Sequence, residues 1–536
     1  MRAFLLVLSG LVLVIACMNV ANILMVRATI RQREMAIRAA LGSSRARLVR
    51  QTLTESIVLA ILGGLAGLIL GKWGSDAFAG SIDLATDFPI MLDFSFDWRV
   101  FSYALSGAVS TGILIGIWPA LRGSRADANV VLHDGGRTDS GGAGRGRARG
   151  ILVVAQVAGS LVLLIVAGLF TRSLQRAQRI DLGFDAGHML NVRLDPDEVG
   201  YSHARAMDFY RELERRIRAL PGVQSASLAV SVPMGYINNG QAIYPEERPV
   251  VPGEQPPMAG CNYIGPGYFE TMRIPLVRGR AVLESDSETA PQAAVVNQTM
   301  AGRFWPNQDP IGKRFRIRHD GSPWEVVGVA HDSKYLAVFE HPLPYFYLPL
   351  AQTGVTMRTL QVRTSVPPES MAARVQREIQ SLDPEMPVAD LRTMNQSLAG
   401  GFGFLLFRIG AIQGGTMGIL GLLLAMIGVY GVVSYGASQR TREIGIRMAL
   451  AAGPADVRSL VLGHGLRLVI AGVATGLVAA AVFTRVAAGY VLLVSTTDPL
   501  TFTMVTLLLA AIALWACYLP ARRAMRVDPV VALRHE

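Results

Sequence analysis

The sequence predicts a polytopic α-helical membrane protein of about seven spans, built from two parallel copies of one helical module with a single α+β domain between them. Three observations predict it. Hydrophobic residues make up 51% of the 536 residues and charged residues only 17%, with a mean hydropathy of +0.36. Ordinary soluble domains carry about a quarter charged residues, so the deficit implies lipid-facing surface. The apolar residues fall into runs that can cross a bilayer, which takes about 20 residues as a helix. Finally, the polar segment Arg33-Glu34-Met35-Ala36-Ile37-Arg38-Ala39-Ala40-Leu41 returns as Arg442-Glu443-Ile444-Gly445-Ile446-Arg447-Met448-Ala449-Leu450.

Spans are predicted near 3–26, 54–73, 100–120, 150–170, 410–435, 466–484 and 499–518. The connecting loops alternate in charge. Arg27, Arg31, Arg33, Arg38, Arg45, Arg47 and Arg50 follow the first span, whereas Asp76, Asp83, Asp87, Asp93 and Asp97 follow the second. Arginines return after the third, fifth and last spans, as at Arg122, Arg125, Arg440, Arg442, Arg522 and Arg523. Placing every Arg-rich loop in the cytoplasm puts the C-terminus inside and the N-terminus outside. Lys72, Arg172 and Arg485 fall on the other side, near helix ends from which long side chains can snorkel. The net charge of +11 is thus a topological signal rather than one for nucleic acid. Met1-Arg2 leads directly into a span with no cleavage site, so an incomplete front end is expected rather than a signal peptide.

The repeat continues beyond the polar segment. Gly63 and Gly67 correspond to Gly472 and Gly476, and Asp97 to Asp498. Pro119-Ala120, Arg122, Arg125 and Asp127 match Pro520-Ala521, Arg523, Arg526 and Asp528. Polar residues in the same order on both sides of the membrane exclude chance likeness between apolar helices, and the shared orientation makes this a parallel repeat.

Each copy carries an amphipathic cytoplasmic helix, near 30–50 and 440–458. Glu34 and Arg38, like Glu443 and Arg447, stand four apart, which puts opposite charges on one face. Such a helix can lie at the interface or dock into a partner's groove. Its presence in both copies favours a paired cytoplasmic partner. Gly63, Gly67 and Gly71, repeated by Gly472, Gly476 and Ala480, form small-residue stripes of the kind that lets membrane helices approach closely. Asn19 and Asn22 suit interhelical hydrogen bonds better than a polar pathway. The modules divide as 1–134 and 406–536, with a flexible Gly/Ser/Arg linker over 135–149 and the leading span of the second half over 150–171.

Residues 172–405 form the α+β domain. Amphipathic helices are predicted over Ala204–Leu220 and Glu369–Leu382, and strands over Val223–Val232, Ala293–Asn297 and Trp324–Val329. Its chemistry is sparse. There is no G-x-S-x-G, H-E-x-x-H or G-x-x-x-x-G-K-[ST] match. His331-Asp332 and Glu340-His341 read as solvated loop residues rather than metal ligands. Cys17, Cys261 and Cys517 read as small buried hydrophobes, with no disulfide or metal set among them. No catalytic or cofactor site is expected, so ATP, if used, is bound by another chain.

The duplicated R-E-x-x-I-R-x-A-L helix and the terminal Pro520-Ala521-Arg522-Arg523-Ala524-Met525-Arg526-Val527-Asp528-Pro529 resemble the FtsX-like permease family. The middle resembles the MacB-like periplasmic core domain through Gly265-Pro266-Gly267-Tyr268-Phe269, Phe304-Trp305-Pro306, Asp309-Pro310-Ile311-Gly312 and Tyr347-Leu348-Pro349. The resemblance covers nearly the whole length and is nearest to duplicated permeases of the "orphan" type. There each half has a leading span, a core domain and three spans. Only three spans precede the linker here, so the first half is expected to lack its leading span and core domain. Ala451 departs from the motif, which has glycine there, as at Gly42.

The resemblance implies an ABC-type complex in the bacterial inner membrane. A separate ATPase dimer would grip the coupling helices through Arg33, Glu34, Ile37, Arg38, Leu41 and Gly42 and through Arg442, Glu443, Ile446, Arg447 and Leu450. Its strokes would pass to the periplasmic domain by mechanotransmission, driving export or extraction with a periplasmic or outer-membrane partner. The alternative is a scaffold that regulates an envelope enzyme and moves no cargo.

Overall fold

The computed structural model describes residues 2–30, 44–81, 97–123, 139–235, 239–247, 255–318, 320–439, 454–486, 489 and 493–524. Two compact units emerge. One holds the described residues within 1–81, 93–175 and 409–536, the other those within 176–408.

The first unit is helical. Its helices are α1 (Arg2–Ile30), α2 (Arg45–Ser81), α3 (Trp98–Gly123) and α4 (Asp139–Ala177). The helices α5 (His203–Ala219), α6 (Tyr268–Met272), α7 (Gln298–Phe304), α8 (Pro368–Leu382) and α9 (Met394–Gly400) belong to the second unit. Three long helices complete the chain: α10 (Phe402–Gln439), α11 (Pro454–Val486) and α12 (Pro499–Ala524). A long helix thus stands at each predicted span. Five are long and apolar enough to cross a membrane among the described residues, in α2, α4, α10, α11 and α12. The other two are α1, whose shorter apolar stretch runs Leu6–Asn22, and α3.

The expected flexible linker is a correction. From Asp139 onward its residues belong to α4, continuous with the span. Once a span has nucleated a helix, each added residue gains a hydrogen bond, and this extends the helix through Gly-rich sequence.

The second unit is built on a mixed sheet. Its strands are β1 (Met189–Leu194), β2 (Val223–Ala229), β3 (Asn239–Ala242), β4 (Tyr244–Pro245), β5 (Met258–Ile264) and β6 (Leu276–Gly279), then β7 (Ala293–Asn297), β8 (Arg314–Arg316), β9 (Trp324–Ala330), β10 (Tyr345–Pro349), β11 (Arg358–Thr364) and β12 (Val388–Thr393). The order is β12-β1-β11-β2-β5-β10-β7-β9-β8-β4, with β3 on β5 and β6 on β9.

The sheet has two halves. In the first, β12, β1, β11 and β2 are antiparallel and carry α5 and α8, whose Leu213, Ile217, Val375 and Ile379 pack with Val192, Leu360 and Val362. In the second, β5 runs parallel to β10 and β7 parallel to β9, over a core of Trp305, Phe315, Val326 and Phe346. The halves meet where Ala229 faces Ile264 across β2 and β5, the one register pair these strands share among the described residues. There β2 ends, three residues before the sequence suggested. The Asn262 side chain continues the join, accepting from Ser231 N–H at 2.9 Å and donating to Ser231 C=O at 2.9 Å.

The domain's loops are held by carboxylates. Asp332 accepts from Thr299 N and Oγ1 at 2.9 and 2.7 Å, and Glu340 accepts from the amides of Tyr335, Leu336 and Ala337. The two carboxylates expected to be solvated loop residues are therefore structural anchors. Cys261 is fully buried on β5, beside Phe346 of β10.

On α5, Arg218 pairs with Glu214 at 2.7 Å. Burial nevertheless pushes the Glu214 carboxyl up to about 7 from 4.5, with Arg218 opposing and the Glu284 carboxylate adding to the rise. A carboxyl raised in the fold binds its proton more tightly folded than unfolded. Its contribution is therefore complete below about 4.5 and lost as pH climbs through about 7. Glu214→Gln should remove this loss. Labelling of the buried Cys261 thiol, read by mass spectrometry between about pH 5 and pH 8, should accelerate less in the variant than in the natural chain.

Helix α4 lies against α10 along a seam of glycines. Gly414 faces the Ala167 backbone, and a Cβ there would sit 3.1 Å from Ala167 Cα. At Gly415 a Cβ would meet nothing within 4 Å. Gly414→Leu should thus lower stability in detergent micelles by about 1–3 kcal/mol, the usual penalty of overpacking. Gly415→Leu should change it by less than about 0.5 kcal/mol. Equal thermal midpoints for the two variants would contradict the seam.

Candidate functional site

The candidate site is the surround of α4, where apolar neighbours enclose the helix on several sides and polar groups converge on it. Its span is 72% buried, against 22–39% for the spans in α10, α11 and α12. Four partners meet it. From α10, Gly410, Gly414, Gly418, Gly421 and Gly428 admit Phe170, Ala167, Leu164, Leu163 and Gln156 in antiparallel order. From α11, Gly472 lies against Val154 and Val157, and Gly476 against Ala158 and Leu161. Thr501 and Val505 of α12 reach Gly168, and Ile15 of α1 reaches Gly159.

The two predicted stripes therefore differ. Gly472 and Gly476 are close-approach positions, where a Cβ would stand 2.7 and 2.9 Å from α4 atoms. At Gly63, Gly67 and Gly71 a Cβ would meet nothing within 4 Å. On α2 the close approach is made one residue on, at Gly64 against Leu105 of α3. The α10 seam was missed by the sequence reading. Its signal was present in the spacing of Gly410, Gly414 and Gly418, which repeats every helical turn.

At the middle of the seam the contact becomes polar. Asn19 Nδ2 donates to Leu424 C=O at 3.0 Å, and Gln156 Nε2 donates to the same carbonyl. Ser160 Oγ donates to Gly421 C=O at 2.7 Å. Asn19 thus makes the interhelical bond expected of it, and Asn22 is equally buried. Gln156 and Ser160 were not singled out by sequence. Both sit inside an apolar run, and only the absence of a side chain at Gly428 and Gly421 exposes the carbonyls they reach.

Near the far end of the span, Arg172 Nη1 donates to Asp498 Oδ2. Asp498 also accepts from Thr501 N and Oγ1 at 2.9 and 2.6 Å, so it caps α12, with Pro499 in the first turn. Arg172, expected to snorkel, is tied to a helix cap instead. The repeat partner Asp97 likewise accepts from Arg99 N at 2.8 Å at the start of α3.

In the second unit, residues 181–188 follow α4 and are stitched into the domain. Lys334 N donates to Leu182 C=O, Asp185 N to Met272 C=O, and Thr364 N to His188 C=O, at 2.8–3.0 Å. Beneath them the buried Arg363 guanidinium donates to the carbonyls of Thr271, Asp185 and Gly187 at 2.6–2.8 Å and to Asp185 Oδ2 at 3.2 Å. On the return, a capping box of Thr393 and Gln396 starts α9, which leads into α10. The chain therefore leaves and rejoins the long helices through β1 and β12, which are neighbours in the sheet.

The coupling positions Arg33, Glu34, Ile37, Arg38, Leu41, Gly42, Arg442, Glu443, Ile446, Arg447 and Leu450 lie outside the described residues. Just beyond the first of these segments, Arg47, Arg50, Gln51, Thr54, Glu55 and Val58 line a groove of about 580 Å³ at the start of α2.

Two family models match the chain: a MacB-like periplasmic core domain over 151–382, and an FtsX-like permease C-terminal module over both 6–128 and 415–529. The chain is similar to a macrolide export ATP-binding/permease protein MacB from Hahella chejuensis, 27% identical over 51% of this chain and 43% of that one. It is also similar to the uncharacterized ABC transporter permease YknZ of Bacillus subtilis, 25% identical over 52% of this chain and 70% of that one. The chain thus spans under half the length of the first relative. Among solved structures, the periplasmic region of MacB from Actinobacillus actinomycetemcomitans aligns with 40% of this chain and 92% of its own, at 15% identity and a TM-score of 0.28. With one MacB-like periplasmic core domain set between two matches to the FtsX-like permease module, this multi-pass membrane chain carries the domains of both families.

Proposed function

We propose that the chain is the membrane permease subunit of an ABC-type complex in which a separate ATPase dimer grips the cytoplasmic segments 33–42 and 442–451. Its strokes pass through α4 and α10 to the α+β domain, and the work done at the outer face of the inner membrane is export or extraction of a substrate. ATP is bound and hydrolysed by the partner, and this chain supplies no catalytic group. The Arg-rich loops set the orientation, with the C-terminus in the cytoplasm.

One observation supports this reading most directly. The helices that precede and follow the α+β domain in the chain, α4 and α10, share a glycine seam fixed in register by hydrogen bonds, and the first and last strands of the domain, β1 and β12, are neighbours in its sheet. In this reading, a shift of one helix reaches the sheet through the hydrogen-bonded segment 181–188 on one side and through α9 on the other. In the sequence, Glu34 and Glu443 are equivalent acidic positions of the two copies, as a partner gripping both modules would require.

The test reverses charge at both positions. The chain carrying Glu34→Lys and Glu443→Lys should still reach the membrane and bind lipid. It should no longer stimulate ATP hydrolysis by the ATPase that co-purifies with it, measured in proteoliposomes. Stimulation equal to that of the natural chain would refute the proposed coupling.

A further inference from the structure

Residues 331–340, between β9 and β10, form no helix or strand, yet Tyr335, Ala337 and Val338 are buried. Loops ordinarily run over the surface, because buried backbone needs partners for its polar groups. Here the loop supplies its own. The Glu340 carboxylate accepts from the amides of Tyr335, Leu336 and Ala337 at 2.8–2.9 Å, and Lys334 Nζ donates to Glu340 C=O at 2.8 Å. Bonds to an ionised carboxylate are about twice as strong as neutral ones. Glu340 therefore closes the loop on itself. Tyr335 stacks on Tyr345 of β10, with ring centroids 3.9 Å apart, which seats the closed loop on the sheet.

The loop also touches two segments far apart in sequence. One is the stretch that follows α4. There Lys334 N donates to Leu182 C=O at 2.9 Å, Ser333 Oγ donates to Gly183 C=O at 3.1 Å, and Gly183 packs on the Asp332 backbone. The other is the base of α10, whose residues through Arg408 belong to the second unit. Phe339 meets Phe407 edge to face, with centroids 5.9 Å apart. Met234 N donates to Tyr335 C=O at 2.9 Å, and the Met234 carbonyl lies against Gly401, where a Cβ would stand 2.5 Å away.

We propose that residues 332–340 act as a clasp that ties the segment 181–183 and the base of α10 to one point of the sheet, with Glu340 as its positioning residue. The amide bonds to Glu340 give the loop the shape that brings Lys334 to Leu182 and Phe339 to Phe407 at once. Loosening one grip therefore loosens the other. Glutamine at this position keeps the size of the side chain but has a single acceptor oxygen, and its own N–H groups would face donors. The proposal concerns contacts inside the second unit and not ATP-driven transmission, so either can fail alone.

The test is hydrogen exchange of the full chain in nanodiscs, read by mass spectrometry with fragmentation, because opening a clasp exposes the amides it holds. Glu340→Gln should accelerate exchange roughly tenfold at the amides of 335–337. Beyond the loop, it should do the same at Asp185 and Leu405, whose amides bond to the carbonyls of Met272 and Gly401. The paired strands β1 and β11 should stay within about twofold of the natural chain. Phe339→Ala removes only the grip on α10, and Asp185, beside the other grip, should still exchange roughly threefold faster. Acceleration confined to 335–337 would make Glu340 a local turn anchor and overturn the proposal. So would an unchanged Asp185 in Phe339→Ala. Acceleration that spreads through β1 and β11 would mark Glu340 as a stabiliser of the whole domain and overturn it too.

Discussion

The architecture depends on how closely a second backbone can approach α4. Inside a bilayer the lipid chains are as apolar as leucine, so helices gain little by hiding apolar side chains from them. What remains is close contact and hydrogen bonding, and both require that Cβ atoms be missing at the right places. Gly414, Gly418 and Gly421 on α10 and Gly472 and Gly476 on α11 provide this around one helix. Val157, Leu161 and Ile165 of α4 consequently carry no exposed surface, although they lie in a span where most sequences would present leucine to lipid.

The α+β domain answers a different constraint, since water gives it a true hydrophobic core. Two cores form, one on each half of the sheet, and the halves join where Ala229 faces Ile264, with backbone bonds from Val230 and Gly265 and the Asn262 side chain beside that pair. The segment after α4 is held otherwise. Its carbonyls turn inward onto Arg363, whose five donors suit a cluster of backbone oxygens better than any single ion pair would. Gly183, at a φ of +76°, packs against the Asp332 backbone at that point, where a side chain would have no room.

Much of this was legible in the sequence, and the exceptions share a cause. Span positions, the repeat, and the helices at 203–219 and 368–382 follow from periodicity, which is a property of one segment. The seam glycines of α10 carry a readable spacing, but nothing in one helix says which stripe will find a partner. Gly63 and Gly67 have the same spacing as Gly472 and Gly476, and only the latter pair touches another helix among the described residues. Arg172 reads as a snorkelling arginine until Asp498, distant in sequence, is brought beside it. Gln156, Ser160 and Arg363 bond to backbone carbonyls, which leave no mark in sequence at all.

The polar middle of the α4–α10 seam decides what kind of contact it is. A seam of glycine and apolar side chains alone has near-equivalent registers one turn apart, and such helices can slide. Here Gln156, fully buried, and Ser160 are committed to carbonyls at Leu424 and Gly421. Slipping by a turn would bury both without those partners, and each such group costs about 1–3 kcal/mol. Asn19 fixes α1 to the same carbonyl, so three helices share one register point. Farther along, the Arg172–Asp498 pair holds α4 to the cap of α12. Two fixed points on one helix oppose both sliding and rotation about its axis. Helix α4 is thus held in one register against α1, α10 and α12.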